Sequence, residues 1–149
     1  MEDYLEAIAV LRGEEKVARV NGMSRRLGVT MPSVTSALRK LSDRGLVIHE
    51  KYGYVSLTDE GNKLAQDVLR RHRALARFFC EALGVDKRTG EEDACRIEHV
   101  ISPVSMDRLT KFLEFMAACP FGETKFPETY RYFLEHGKLP QECLRRAPK

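Results

Sequence analysis

The stretch from Val20 to Leu57 leaves few folds open to this chain. A short amphipathic segment, Val20 to Leu27, stops at Gly28, and a second helix opens at Thr30-Met31-Pro32-Ser33. Thr30 supplies an N-cap oxygen, and Pro32 is tolerated there because a first-turn N–H has no intrahelical partner to lose. Val34, Ala37, Leu38 and Leu41 return at helical spacing as one apolar stripe, which Arg44-Gly45 closes. Two β-prone stretches, from Leu46 and up to Leu57, then flank a Tyr-Gly turn. Two helices meeting at a glycine and running into a hairpin have the element order of a winged helix-turn-helix.

Helical periodicity dominates elsewhere. Glu2 to Arg12 carries Tyr4, Ile8 and Leu11 on one stripe, with Asp3 and Glu6 beside it, and Gly13-Glu14-Glu15 is expected to break it. Thr58-Asp59-Glu60 reads as a cap with acids in the first turn, opening a long helix with Leu64, Val68, His72, Leu75 and Phe79 inward. A helix from about Glu91 to Ile101 has Ala94, Ile97, Val100 and Ile101 as its apolar face, and Pro103 follows. The next carries Met106, Leu109, Phe112, Leu113 and Met116 and ends at Cys119-Pro120-Phe121-Gly122. The expected fold is mainly α, with a winged helix-turn-helix and small β-hairpin wing over 1–60. An all-helical domain follows over 61–122, then a tail over 123–149.

The net charge is only +3, but Arg19, Arg25, Arg26, Arg39, Lys40, Arg44 and Lys51 crowd one region. That distribution, joined to the motif, points to double-stranded DNA. Met31, Pro32, Ser33 and Ser36 are expected to face the bases from the second helix. Thr35, Arg39 and Arg44, with Lys51 and Tyr52 on the wing, are the phosphate candidates. None of the base-facing groups makes the bidentate contact of arginine to guanine, so shape and phosphate contacts should carry much of the affinity. No apolar run approaches the ~20 residues of a membrane span, and the acidic N-terminus does not read as a signal peptide. With cysteines widely spaced at 80, 95, 119 and 143, the expectation is reduced thiols in the cytoplasm.

Cys95, Glu98 and His99 stand at i, i+3 and i+4 and leave one helical face together. Each residue alone has an ordinary explanation: a buried thiol, a surface pair, a satisfied histidine at 72, helix-start acids at 3 and 6. If the first helix meets the later ones, all six converge, and several acids without a cation would be costly. Carboxylate, imidazole and one thiolate suit a divalent first-row ion better than calcium or a thiolate-rich structural zinc site.

Together these residues resemble a known family. Met1-Glu2-Asp3-Tyr4-Leu5-Glu6, the Ala18-Arg19-Val20 entry, Pro32-Ser33-Val34-Thr35, Glu50-Lys51-Tyr52, Leu57-Thr58-Asp59-Glu60-Gly61, Arg71-His72-Arg73 and Cys95-Arg96-Ile97-Glu98-His99-Val100 look like the diphtheria toxin repressor / manganese transport regulator family, up to about Gly122. The resemblance implies a homodimeric repressor of metal-uptake genes with Fe(II) or Mn(II) as co-repressor, the helices of 61–122 forming its metal-binding and dimerisation domain, and no enzyme or small-molecule substrate. It implies Asp3, Glu6, His72, Cys95, Glu98 and His99 as ligands for one or two ions, Glu98 bridging if there are two. Cys95 follows the iron branch where the manganese branch has an acid, whereas Ala76 departs from the iron branch. Thiolate softness leans the expectation narrowly to Fe(II), with Mn(II) next. Leu75, Phe78, Phe79, Leu109, Phe112 and Leu113 are the expected dimer surface.

Two other chemistries compete. A winged-helix regulator sensing oxidation through Cys95 or Cys80, with no metal, would respond to peroxide rather than to a chelator. A hydrolase using Cys95 and His99 fails on context, because no oxyanion loop accompanies the pair.

Overall fold

A computed structural model describes residues 1–50, 53–118, 125–138 and 140. The elements in chain order are α1 (Glu2–Glu15), β1 (Ala18–Arg19), α2 (Val20–Leu27), α3 (Met31–Asp43), β2 (Val47–His49), β3 (Tyr54–Leu57), α4 (Asp59–Arg77), α5 (Lys87–Ile97), α6 (Pro103–Ala118) and α7 (Lys125–His136). The strands form one antiparallel sheet in the order β1-β3-β2. A mainly helical chain with a small wing is the expected class. Among the described residues no helix is long and apolar enough to cross a membrane. Contacts divide the chain into Met1–Arg70 and Arg71–Lys149, inside α4, whereas the sequence placed its first boundary at 60, where α4 begins.

In the first unit, α1 runs through Gly13 and stops only at Lys16, whose φ of 62° ends the helix. Leu5, Ile8 and Leu11 of α1 pack with Met23 of α2, Val34 and Leu38 of α3, and Val55 of the sheet. Burying each large aliphatic chain contributes roughly 1.5–3 kcal/mol. Gly28, at φ 64°, makes the turn between α2 and α3, and Ser24 Oγ donates to the Val29 carbonyl across it at 2.6 Å. Thr30 Oγ1 accepts from the Ser33 N–H at 3.4 Å, the expected cap.

The corner from wing to α4 explains the Thr58-Asp59-Glu60-Gly61 run. Thr58 Oγ1 donates to the Gly45 carbonyl at 2.8 Å and accepts from the Gly61 N–H at 3.0 Å. The Thr58 N–H bonds the Leu46 carbonyl at 3.1 Å. The start of α4 thus lies directly against that carbonyl, and a Cβ on Gly61 would collide with it.

In the second unit, α4 continues into a wider turn over Phe78–Ala82, where the Leu83 N–H reaches the Phe78 carbonyl at 3.1 Å. Leu75 and Ala76 pack with Ala94 of α5, and Phe79, Leu109 and Met106 cover them. Asp86 caps α5 by accepting from the Thr89 N–H at 3.1 Å, so α5 starts four residues before Glu91. Thr89 also holds the Asp86 carboxyl below its ordinary range, its side-chain hydrogen bond being the larger cause.

Two residues expected to face inward are exposed. Leu64 is exposed and Ala65 beside it is buried, whereas Val68 and Leu75 are buried as expected and His72 and Phe79 are partly so. Val100 is 79 % exposed, because α5 ends at Ile97 and the following turn carries it outward. The tail contains α7, which tolerates Pro127 in its first turn.

Replacing Gly61 by alanine tests the corner by sign. In an open helix the change would stabilise by about 0.5–1 kcal/mol. Here it should instead lower the thermal midpoint, a loss of roughly 1–3 kcal/mol from forced displacement of Leu46. An unchanged or raised midpoint contradicts the close approach.

Candidate metal centre and nucleic-acid interface

Glu98 is the buried charged residue on which the second unit's polar chemistry converges, at 0 % exposure. Its N–H still bonds the Ala94 carbonyl at 2.9 Å, so α5 hands its last turn to the residue without a break in direction. Two consecutive residues of α4 hold it. Arg71 Nη1 donates to the Glu98 carbonyl at 2.7 Å, and His72 Nδ1 lies 2.7 Å from Glu98 Oε2. His99 Nε2 approaches the other oxygen, Oε1, at 3.3 Å. Oε1 accepts no hydrogen bond among the described residues.

That arrangement fits a cation. A desolvated carboxylate costs several kcal/mol even after relaxation, and one charge-assisted hydrogen bond offsets roughly 1.5–3 kcal/mol of it. A sealed oxygen facing an imidazole nitrogen, outside hydrogen-bond geometry, supplies donor atoms for a divalent ion.

The far nitrogen of His72 was not anticipated. His72 Nε2 lies 2.7 Å from Glu91 Oε2 on α5, a residue that the sequence reading treated only as a helix start. A signal was present: Glu91, Cys95 and Glu98 repeat at four and three residues, the spacing of one helical face.

The other anticipated ligands are placed as follows. Asp3 and Glu6 lie three residues apart on α1 in the first unit, both partly buried. Cys95 is on α5 and exposed, in contrast with the sealed Glu98. Cys119 and Cys143 lie outside the described residues. Of the anticipated dimer residues, Leu75 and Leu113 are already buried within the single chain. Phe78, Phe79 and Phe112 are half-buried, and Phe78 meets Phe112 edge-on at 6.0 Å.

On the first unit, α3 presents Met31, Pro32, Ser33, Thr35, Ser36 and Arg39 to solvent, and Arg44 is exposed at its C-cap. Thr35 Oγ1 donates to the Met31 carbonyl at 3.0 Å, which leaves its oxygen as an acceptor only. Lys51 and Tyr52 lie outside the described residues.

The thiols differ in chemistry. Burial pushes the Cys80 thiol above its ordinary range, and the carboxylates of Glu91 and Asp86 push it further, so Cys80 stays protonated and slow to react. Alkylation followed by peptide mapping should label Cys95 well before Cys80 in the metal-free protein. Equal rates would contradict the half-buried placement of Cys80 near Glu91 and Asp86.

The comparisons with known proteins agree with this division of labour. The family described as "Iron dependent repressor, N-terminal DNA binding domain" matches residues 1–55, and "Iron dependent repressor, metal binding and dimerisation domain" matches residues 58–127. The HTH-type transcriptional regulator MntR of Lysinibacillus sphaericus is 35% identical over 120 residues, covering 80% of this chain and 86% of that protein. MntR of Bacillus subtilis is 36% identical over 115 residues, covering 77% of this chain and 80% of that one. Among solved structures, the manganese regulator SloR superposes with a TM-score of 0.69 at 31% identity, over 80% of this chain. This chain spans only 55% of the SloR chain. The IdeR of T. acidophilum, at 20% identity and a TM-score of 0.70, shares the fold. The chain belongs to the diphtheria toxin repressor / manganese transport regulator family, whose members are metal-dependent transcriptional regulators and not enzymes.

Proposed function

We propose that this protein is a homodimeric repressor, acting in the cytoplasm, that grips operator DNA upstream of metal-uptake genes when Fe(II) or Mn(II) is abundant. The observation that carries the metal half is the sealed Glu98 carboxylate between His72 and His99. Glu98, His99 and Cys95 of the second unit, with Asp3 and Glu6 of the first, would hold the co-repressor. His72 and Glu91 would hold a second ion, with Glu98 shared. A bound divalent cation supplies the positive charge that these carboxylates otherwise lack.

Residues of the chain set the threshold. His72 must give up its hydrogen bond to Glu98 and His99 must present a neutral nitrogen, so uptake of the ion releases protons and weakens at low pH. Without the ion, the acids of α1 and those around α5 repel one another, which broadens the spacing of the two DNA-binding heads. Coordination narrows that spacing toward half-sites about one helical turn, ~34 Å, apart. Base contacts would come from Met31, Pro32, Ser33 and Ser36, and phosphate contacts from Thr35, Arg39, Arg44, Lys51 and Tyr52. The second copy would meet this one around Phe78, Phe79, Leu109 and Phe112. Exposed Val104 and Phe115, eleven residues apart on α6 and so on one face, extend that surface. Leu75 and Leu113 would support it from beneath.

Cys95 discriminates between the two metals. Its soft sulfur raises affinity for Fe(II) over Mn(II), and the proposal favours iron on that ground. Cys95→Glu should move the preference toward Mn(II), read as the ratio of metal concentrations that half-saturate DNA binding under anaerobic conditions. An unchanged ratio removes the thiolate from the ligand set.

Linkage gives the direct test of the switch. Operator DNA and metal must tighten each other by the same factor, typically about 5–150-fold, or 1–3 kcal/mol. Asp3→Ala and Glu98→Ala should leave a folded dimer whose DNA affinity no longer responds to Fe(II), Mn(II), Co(II) or Zn(II). Wild-type protein whose metal affinity ignores the operator would contradict the switch.

A further inference from the structure

Arg19 and Tyr54 form a pair that neither the metal centre nor α3 uses. They are direct partners across β1 and β3. Arg19 Nη2 donates to the Tyr54 hydroxyl at 2.7 Å, and the guanidinium carbon lies 4.7 Å from the centre of the same ring. Tyr54 also closes the wing hairpin, since its carbonyl accepts from the Glu50 N–H at 2.9 Å. Two different contacts to one ring therefore fix where the guanidinium stands.

Charge makes the pair unusual. Tyr54 is neutral, so these contacts leave the full positive charge of Arg19 in place. Arg26 by contrast lies 3.4 Å from the Glu14 carboxylate, and among the described residues no carboxylate pairs with Arg19. Arg19 is nevertheless exposed, with the tyrosine ring half-buried behind it. An immobilised arginine has already lost much of its rotamer entropy, so capturing an anion costs it less than it costs a free side chain. Its planar fork retains outward N–H donors suited to a phosphodiester.

We propose that Arg19, seated on Tyr54, is a backbone-phosphate contact between the wing sheet and duplex DNA. This rests on the reading that residues 1–55 grip DNA, and it adds a contact on β1, outside α3 and the hairpin tip. Tyr54 is the positioning residue and Arg19 the binding one.

The test uses the full-length, metal-loaded protein and a short duplex of mixed sequence, because a phosphate contact is indifferent to bases. Anisotropy titrations at several salt concentrations give affinity and salt slope together. Arg19→Gln should weaken binding roughly three- to tenfold and reduce the steepness of the slope by about 0.9 for each phosphate lost. Arg19→Lys should keep the slope. Tyr54→Phe, which retains the ring and loses the hydroxyl, should weaken binding less and also keep the slope. Metal affinity without DNA should be unaltered in all three.

Arg19→Gln with wild-type affinity overturns the proposal. So does a loss of affinity at unchanged slope, which is what a mere brace between strands would produce. If Arg19→Gln does not fold, a diminished slope in Arg19→Lys overturns it and a retained one supports it. Loaded wild-type protein that ignores the duplex altogether would instead sink the parent reading, and this contact with it.

Discussion

A carboxylate sealed from water constrains the second unit more than any other group. Glu98 sits where α5 ends, and the packing of Leu75 and Ala76 on Ala94 brings the adjoining turns of α4 and α5 together. Arg71 takes its carbonyl and His72 its carboxylate, so neighbouring residues on one helix immobilise both ends of it. The balance is unfavourable for an isolated anion, since one imidazole hydrogen bond does not offset the loss of hydration. A site built this way stores affinity for a cation in its packing.

The DNA-binding head depends on apolar packing and on its corners. Three α3 residues, Val34, Leu38 and Leu41, are sealed into the core, which obliges the opposite face, with Ser33, Ser36 and Arg39, to point outward. Thr58 then joins the end of the wing to the start of α4 through contacts with Gly45, Leu46 and Gly61. Helix α4 carries Gly61 near one end and His72 in its second half.

Much of this was legible in the residues. Periodicity and caps located α1 to α3, and Thr30 caps as its chemistry dictates. His72 and Glu98, both singled out from the sequence, lie 2.7 Å apart. What was hidden had short-range causes. A two-residue strand such as β1 has no periodicity to detect, and it is defined only by its partner β3. Leucine's hydrophobicity drew Leu64 into the apolar stripe of α4, although the small Gly61 and Ala65 make the close approach. Glu91 was missed because surface acids at helix starts are common, and only the fold shows the imidazole across from it. Reading Glu98 and His99 as mid-helix residues hid the turn that begins after Ile97 and sends Val100 to the surface.

The account stands or falls on where a divalent ion settles. Anomalous diffraction collected at the manganese edge from crystals of the Mn(II)-loaded protein locates it without reference to any assay. The expected map has its strongest peak within coordination reach of the Glu98 carboxylate and an imidazole of His72 or His99. A peak elsewhere, with the Glu98 carboxylate still hydrogen-bonded to His72, would contradict the central claim.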